Sequence, residues 1–459
     1  MDGLRERLLS LTSMTIVGSG GEWQGQIKFS SVSPEGVMNS SDVNGTQIPA
    51  EGGNNMQQII NWLIVVGLVY ALMVSVGVLS QGFRVISGGA DGARSIFEFA
   101  TNPIVGVLLG VLATALVQSS SAVTSVIVGL VGGGLPVAMA IPMIMGSNMG
   151  TTVTNTLAAL GNIGQGEAFN RSFSAATVHD FFNFITILIF LPIEMLFHPL
   201  EKLAVWLSQY FQGSGDASMN DFDVIRLITR PVINAVRDAV RVLPDDIGGF
   251  VLVGLGIVAV LGAVYALNKM LRRVMTGGAQ KVFNAAVGKS VALAVLTGLV
   301  VTLIVQSSTL TTVLIVPMAG AGMFTLAQVY PFTLGANIGT PITALLAATA
   351  VSGEFELFAL QIALVHLLYN GFAVVLFALI PPLWRLPMQL AQALANGAER
   401  SRMVVFGYIF GVFFLLPGLV FMAQYLYNNK SPEVLEAEKQ EVVYDRAAKE
   451  SEEKGLKIE

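Results

Sequence analysis

The chain has 459 residues, 53% of them hydrophobic and only 12% charged, with a net charge of -5. Soluble domains carry about 25% charged residues, so most of this surface is built to face a lipid bilayer, and no basic stripe of the kind nucleic acid requires is present. The chain contains no cysteine, which excludes disulfides, thiolate metal sites, iron–sulfur clusters and cysteine nucleophiles.

Residues 1–56 read as an N-terminal arm, mostly loop. Arg5 and Arg7 before Leu8-Leu9 faintly resemble a signal peptide, but Ser10, Thr12, Ser13 and Thr15 interrupt the apolar run. Apolar stretches of spanning length follow at about 57–80, 137–160, 174–197, 249–267, 357–381 and 403–426, against the ~20 residues a bilayer needs. Two further apolar runs, Ile104–Val117 and Val291–Val305, are too short to cross alone, and each ends on a polar tetrad: Gln118-Ser119-Ser120-Ser121 and Gln306-Ser307-Ser308-Thr309. A short apolar helix, a polar break and a second apolar run predict a re-entrant hairpin, which is tolerated at membrane depth only if buried in protein or lining a cavity.

The tetrads belong to a longer duplication. Thr114 and Thr124 pair with Thr302 and Thr312, Pro142 with Pro331, and Gly146-Ser147-Asn148-Met149-Gly150-Thr151 with Gly335-Ala336-Asn337-Ile338-Gly339-Thr340. Thr154 pairs with Thr343, and Val178-His179 with Asn183 reappears as Val365-His366 with Asn370. This defines repeat 1 at 57–197 and repeat 2 at 249–381, an inter-repeat linker at 198–248 read as solvated or surface-lying helix, a loop and last spanning helix at 382–426, and a polar acidic tail at 427–459. The stretch 267–290 carries Lys269, Arg272, Arg273, Lys281 and Lys289 without an acid, so the positive-inside rule makes it cytoplasmic. Its counterpart 81–102 then lies outside, so the repeats are inverted. The expected fold is all-α: a polytopic membrane protein with two inverted repeats, each containing a re-entrant helical hairpin.

Glutamine and serine donate to an oxyanion and offer oxygens to a hard cation, and an uncharged site is less costly to leave empty than one lined by Lys or Asp. Helix N-termini at the breaks add backbone donors for a compact anion. An anion in a low-dielectric site needs countercharge, and no Lys or Arg lies within either motif. Sodium held by hydroxyl, amide and carbonyl oxygens would supply it, with the runs Asn148 to Asn155 and Asn337 to Thr343 as candidate shells. Asn148 and Asn337 are assigned to the binding region, against the plainer reading that they cap helices beside glycines. His179 and His366 are read as packed structural residues, and Asp180 as functional because it is ionisable within a spanning segment. The pairs Gly106/Gly110, Gly129/Gly133 and Gly407/Gly411 are read as close helix packing. Gly288-Lys289-Ser290 lacks the leading glycine of a phosphate-binding loop, since Phe283 stands there, so ATP binding is rejected.

With these motifs in hand, Val117-Gln118-Ser119-Ser120-Ser121, Ile144 to Thr151, Val178-His179-Asp180 and Val305-Gln306-Ser307-Ser308-Thr309 resemble the type II sodium-dependent phosphate cotransporter family, over about 57–425. The resemblance implies a transporter and not an enzyme, with inorganic phosphate and co-transported sodium ions as cargo and no organic cofactor. It implies that Gln118, Ser119, Ser120, Ser121, Ser307, Ser308 and Thr309 surround phosphate. Gln306, Thr151, Asn183, Thr340 and Thr343 match sodium positions, and Thr154 joins them as the repeat mate of Thr343. Asp180 matches an acid of electrogenic members, implying electrogenic uptake by alternating access. Thr309 departs from the usual third serine, and the large disulfide-bonded outer loop of animal members is missing. These departures point to a multi-pass protein of a bacterial inner membrane, and the reading is compatible with a homodimer. An uncoupled anion channel, an intramembrane hydrolase using Ser119 or Ser120 with His179 as base, and cotransport of sulfate or arsenate are the alternatives.

Overall fold

A computed structural model describes residues 55–213, 223–275 and 290–428. The expectations for the N-terminal arm, the acidic tail and most of the basic loop with Lys281 and Lys289 fall outside the described residues. Every regular element among those described is helical. Helices Met56–Ser87, Glu167–Phe197, Ile247–Leu271, Leu326–Thr349, Glu356–Leu379 and Arg402–Leu426 are long and apolar enough to cross a membrane. The chain is a multi-pass membrane protein.

Helix α1 is Asn55–Ser87, running on past the expected loop start at 81, and α2 is Ala90–Ile96. Then come α3 (Pro103–Val117) and α4 (Ser120–Gly132), separated only by the first polar break. Asn102 caps α3 by accepting from Ile104 N at 3.0 Å, with Pro103 in the first turn, where its missing N–H is harmless. Helices α5 (Val137–Gly150) and α6 (Val153–Ala159) replace the single span expected at 137–160, because the chain breaks at Thr151-Thr152. Helix α7 (Glu167–Phe197) ends the first half.

The linker forms α8 (Pro199–Gly213) and α9 (Asp223–Val240), in keeping with a helical linker. Helix α10 (Asp245–Met275) continues past the expected boundary at 267, so Asn268 and Lys269 are helical. The second half repeats the first: α11 (Val291–Val305), the second break, α12 (Ser308–Gly320), α13 (Leu326–Gly339), α14 (Pro341–Thr349) and α15 (Glu356–Leu379). Residues 382–400, expected as loop, instead belong to α16 (Pro381–Arg400), which packs along α7. Its buried Pro387, Ala391, Ala395 and Ala398 recur at helical spacing, and Asn170 of α7 donates to Asn396 at 2.9 Å and Glu399 at 2.8 Å. The last span is α17 (Arg402–Phe410), a π-turn at Gly411–Leu415 and α18 (Leu416–Asn428).

Within each half, the helix before the break packs most extensively on the helix carrying the Gly-x-Asn-x-Gly-Thr run: α3 on α5, and α11 on α13. Glycine is required at the crossings. A Cβ at Gly110 would stand 2.1 Å from Met143 O, and its repeat mate Gly298 the same distance from Phe332 O. Gly146 and Gly335 would meet Val107 O and Val295 O at 1.9 Å. Gly407 and Gly411 differ from expectation, since they approach nothing within 4 Å.

Arginine guanidinium groups meet the carbonyl ends of both post-break helices. Arg84 donates to Gly132 O at 3.1 Å and to Ser352 O at 3.2 Å. Arg171 donates to Gly320 O through Nε at 3.2 Å and Nη2 at 3.0 Å. Positive charge at a helix C-terminus satisfies carbonyls that have no partner within the helix and complements the dipole.

Candidate functional site

Both breaks have the same local construction. Gln118 and Gln306 sit in left-handed conformation, with φ of 57° and 50°. That geometry ends one helix and releases the chain, at a cost of roughly 1 kcal/mol or more for a residue other than glycine. Their N–H groups bond Thr114 O at 2.7 Å and Thr302 O at 2.6 Å. The next residue turns extended and caps the new helix: Ser119 Oγ accepts from Ala122 N at 3.3 Å, and Ser307 Oγ from Leu310 N at 3.2 Å. The first amides of α4 and α12 are left for something other than their own helix.

A cavity of about 700 Å³ borders both breaks, lined by Gln118 and Ser119 from the first and Ser307 and Thr309 from the second. Thr154 of α6 joins them, and Tyr265, Asn268 and Lys269 of α10 complete one wall. Ser120, Ser121 and Ser308 belong to the first turns of the following helices and are buried, at 2%, 5% and 3% exposure. Four of the nine phosphate candidates thus line one chamber, and Asn148 and Asn337 are not among its walls.

Those two asparagines instead form part of a closed ring. Asn148 Nδ2 donates to Asn370 Oδ1 at 2.5 Å, and Asn370 Nδ2 to Asn337 O at 2.7 Å. Asn337 Nδ2 donates to Asn183 Oδ1 at 3.4 Å, and Asn183 Nδ2 to Asn148 O at 3.1 Å. All four are buried, and the ring alternates side-chain and backbone acceptors with two-fold regularity. It joins α5 and α7 of one half to α13 and α15 of the other. His366 adds a contact to Asn148 Oδ1 at 3.0 Å. Its repeat mate His179 is buried, stacks on Phe182 and neighbours Asn337 of the ring.

Asp180 is 1% exposed. Its Oδ2 accepts from Tyr408 Oη at 2.6 Å, and the Thr152 hydroxyl is a second hydrogen-bond neighbour of the carboxylate. Thr151 and Thr340 each donate back to a carbonyl of their own helix, Ser147 O and Ala336 O, at 3.1 Å. Gln306 Oε1 and the repeat mates Thr154 Oγ1 and Thr343 Oγ1 are buried with no hydrogen-bond partner. Oxygens buried this way are expensive unless a ligand meets them.

Sequence reasoning misses Tyr408 beside Asp180, Asn268 and Lys269 in the chamber, and the role of Asn370, while His366 is the packed residue expected. Asn370 carries a usable signal, because it is the repeat mate of Asn183. Tyr408 carries none, since it lies outside both repeats. Asn155 stands out in the sequence only as part of the oxygen-rich run, yet it accepts from Thr312 of the opposite half at 2.9 Å.

Known proteins resemble this chain over most of its length. The chain is 31% identical over 455 residues to the human sodium-dependent phosphate transport protein 2B, covering 80% of this chain and 65% of that one. It is 32% identical over 427 residues to the rat sodium-dependent phosphate transport protein 2A, covering 78% and 67%. The rabbit 2A protein is 33% identical over 429 residues, covering 78% and 66%. The chain therefore spans about two thirds of the length of its curated relatives, 65% for the human protein. No solved structure matches it significantly. The model of the Na+/Pi-cotransporter family matches residues 71–206 and 260–396, stretches that contain both breaks, the asparagine ring and Asp180. The chain belongs to the Na+/Pi-cotransporter family.

Proposed function

We propose that the chain is a sodium-coupled secondary active transporter of inorganic phosphate, working by alternating access. The observation that carries this reading is the single chamber bordered by both breaks, Gln118-Ser119 on one side and Ser307 with Thr309 on the other. Two helix N-termini converging with hydroxyl and amide groups suit a compact anion without binding it as tightly as a fixed ion pair would. The names of its relatives, sodium-dependent phosphate transport proteins, agree with that chemistry.

In this reading the breaks are tips of re-entrant hairpins in inverted repeats, meeting near the bilayer midplane. Gln118, Ser119, Ser307 and Thr309 contact phosphate directly. Ser120, Ser121 and Ser308 offer the amides and hydroxyls of the first helical turn. Gln306, Thr151, Thr154, Asp180, Asn183, Thr340 and Thr343 serve sodium. The unpartnered oxygens of Gln306, Thr154 and Thr343 support this assignment, because hard cations take oxygen ligands. The asparagine ring ties Asn183 to both halves, so cation binding and the relation between the halves are coupled. Asn148 and Asn337 therefore act through the ring and not by touching phosphate. Asp180 carries net charge through the cycle, and each charge moved through the membrane potential gains about 2.3 kcal/mol per 100 mV. The protein works in a bacterial inner membrane.

Variants at the tips test this. Gln118→Ala and Ser307→Ala in purified protein reconstituted into liposomes should lose sodium-driven uptake of labelled phosphate while remaining inserted and monodisperse. Uptake at the unmodified rate would remove the tips from the site.

A further inference from the structure

Within the cavity that borders the tips, one wall comes from a single stripe of α10: Leu261, Val264, Tyr265, Asn268 and Lys269. Their spacing is that of one helix face. The apolar members lie toward one end of the stripe, and its far end is polar. There Asn268 presents a buried Oδ1 with no hydrogen-bond partner, and Lys269 stands beside it. Lys269 is the one charged side chain among the residues lining the cavity, and it enters none of the ion pairs among the described residues.

We propose that Lys269, with Asn268 beside it on α10, is an anion-recognition element of the tip chamber, facing the phosphate held by the tips from the chamber's cytoplasmic end, where the positive-inside rule places the basic stretch that begins at Lys269. The proposal rests on the transport reading above and adds to it a recognition residue outside both polar tetrads. The chemistry is complementary. Neutral tips bind an anion without trapping it, but they exert little pull at a distance. A lysine ammonium at that end supplies that pull, attracts a divalent oxyanion more than a monovalent one, and stays hydrated enough to release its guest. Asn268 fixes the next contact, because its Nδ2 can donate to a phosphate oxygen while its unpartnered Oδ1 accepts from the hydroxyl that divalent phosphate retains.

A plainer account of Lys269 exists: a lysine near the end of an apolar span, reaching toward the interface. That account leaves phosphate affinity untouched when the charge is removed, so the two separate in one assay. The assay is equilibrium binding of labelled inorganic phosphate to the purified full chain in detergent at fixed sodium, with ionic strength varied by choline chloride. Lys269→Gln should raise the Kd for phosphate roughly tenfold at low ionic strength, as loss of one partly screened unit charge facing a divalent anion requires. It should also flatten the salt dependence that the unmodified protein shows, since screening then has no cation to act on. Lys269→Arg should keep both the affinity and the salt slope. Asn268→Ala should weaken binding severalfold and leave the slope intact. A Lys269→Gln protein that binds phosphate as tightly as the unmodified one at low ionic strength overturns the proposal and leaves the transport reading standing. Failure of the unmodified protein to bind phosphate in a sodium-dependent way overturns both.

Discussion

Asn148 and Asn370 join the two halves of the molecule through a 2.5 Å hydrogen bond between their side chains. Asn370 also donates to Asn337 O at 2.7 Å. Asn370→Ala would remove the acceptor of one buried donor and the donor of one buried acceptor. Each orphaned group costs about 1–3 kcal/mol, so the variant should be destabilised by about 2–6 kcal/mol, read from denaturation in detergent. A variant as stable as the parent would show that the ring does not hold the halves together.

Gln118 separates backbone from side-chain roles. Its φ of 57° is strained for glutamine and easy for glycine. Gln118→Gly should therefore fold with stability equal to the parent or up to about 1 kcal/mol higher, yet lose phosphate uptake. Gln118→Ala should lose uptake as well, but keep the strain. Transport by the glycine variant would assign the residue to the turn alone.

The glycine crossings occur once within each half. A Cβ at Gly146 or Gly335 would lie 1.9 Å from a carbonyl oxygen of the facing helix, which no rotamer change relieves. Gly146→Ala and Gly335→Ala should each cost more than about 3 kcal/mol and sharply reduce folded protein, whereas Gly407→Ala, with nothing within 4 Å, should be silent. Comparison of monodisperse yield and thermal midpoint measures all three.

Legibility in the amino-acid sequence differs from one element to the next. The breaks are legible because polar tetrads interrupt apolar runs too short to span, and because they occur twice with the same neighbours. The Thr151-Thr152 break within the expected 137–160 span is not, since hydropathy averages over a bend that keeps the chain apolar. Helix α16 is hidden for the opposite reason: its buried face is mainly small alanines, so it reads as a polar loop. Lys269 reads as part of a basic loop because the charge cluster begins before the helix ends. Tyr408 is a tertiary partner of Asp180, and no local pattern encodes such a contact.

Asp180 and Tyr408 give a prediction about charge. Tyr408 Oη donates to Asp180 Oδ2 at 2.6 Å, and a hydrogen bond to a charged group contributes roughly 1.5–3 kcal/mol. Tyr408→Phe should alter the sodium concentration for half-maximal uptake with phosphate affinity less changed. Asp180→Gly should lower the current carried per phosphate while some uptake persists. Current per phosphate equal to that of the parent would take Asp180 out of the sodium sites.

In the proposed cycle the chamber between the tips carries phosphate and sodium together. Purified protein in sealed liposomes, given labelled phosphate and an imposed inward sodium gradient, measures this directly. Phosphate should accumulate above its external concentration, the accumulation should collapse when potassium replaces sodium, and Gln118→Ala should abolish it. Phosphate that only equilibrates across the bilayer, at a rate indifferent to sodium, would contradict the cycle.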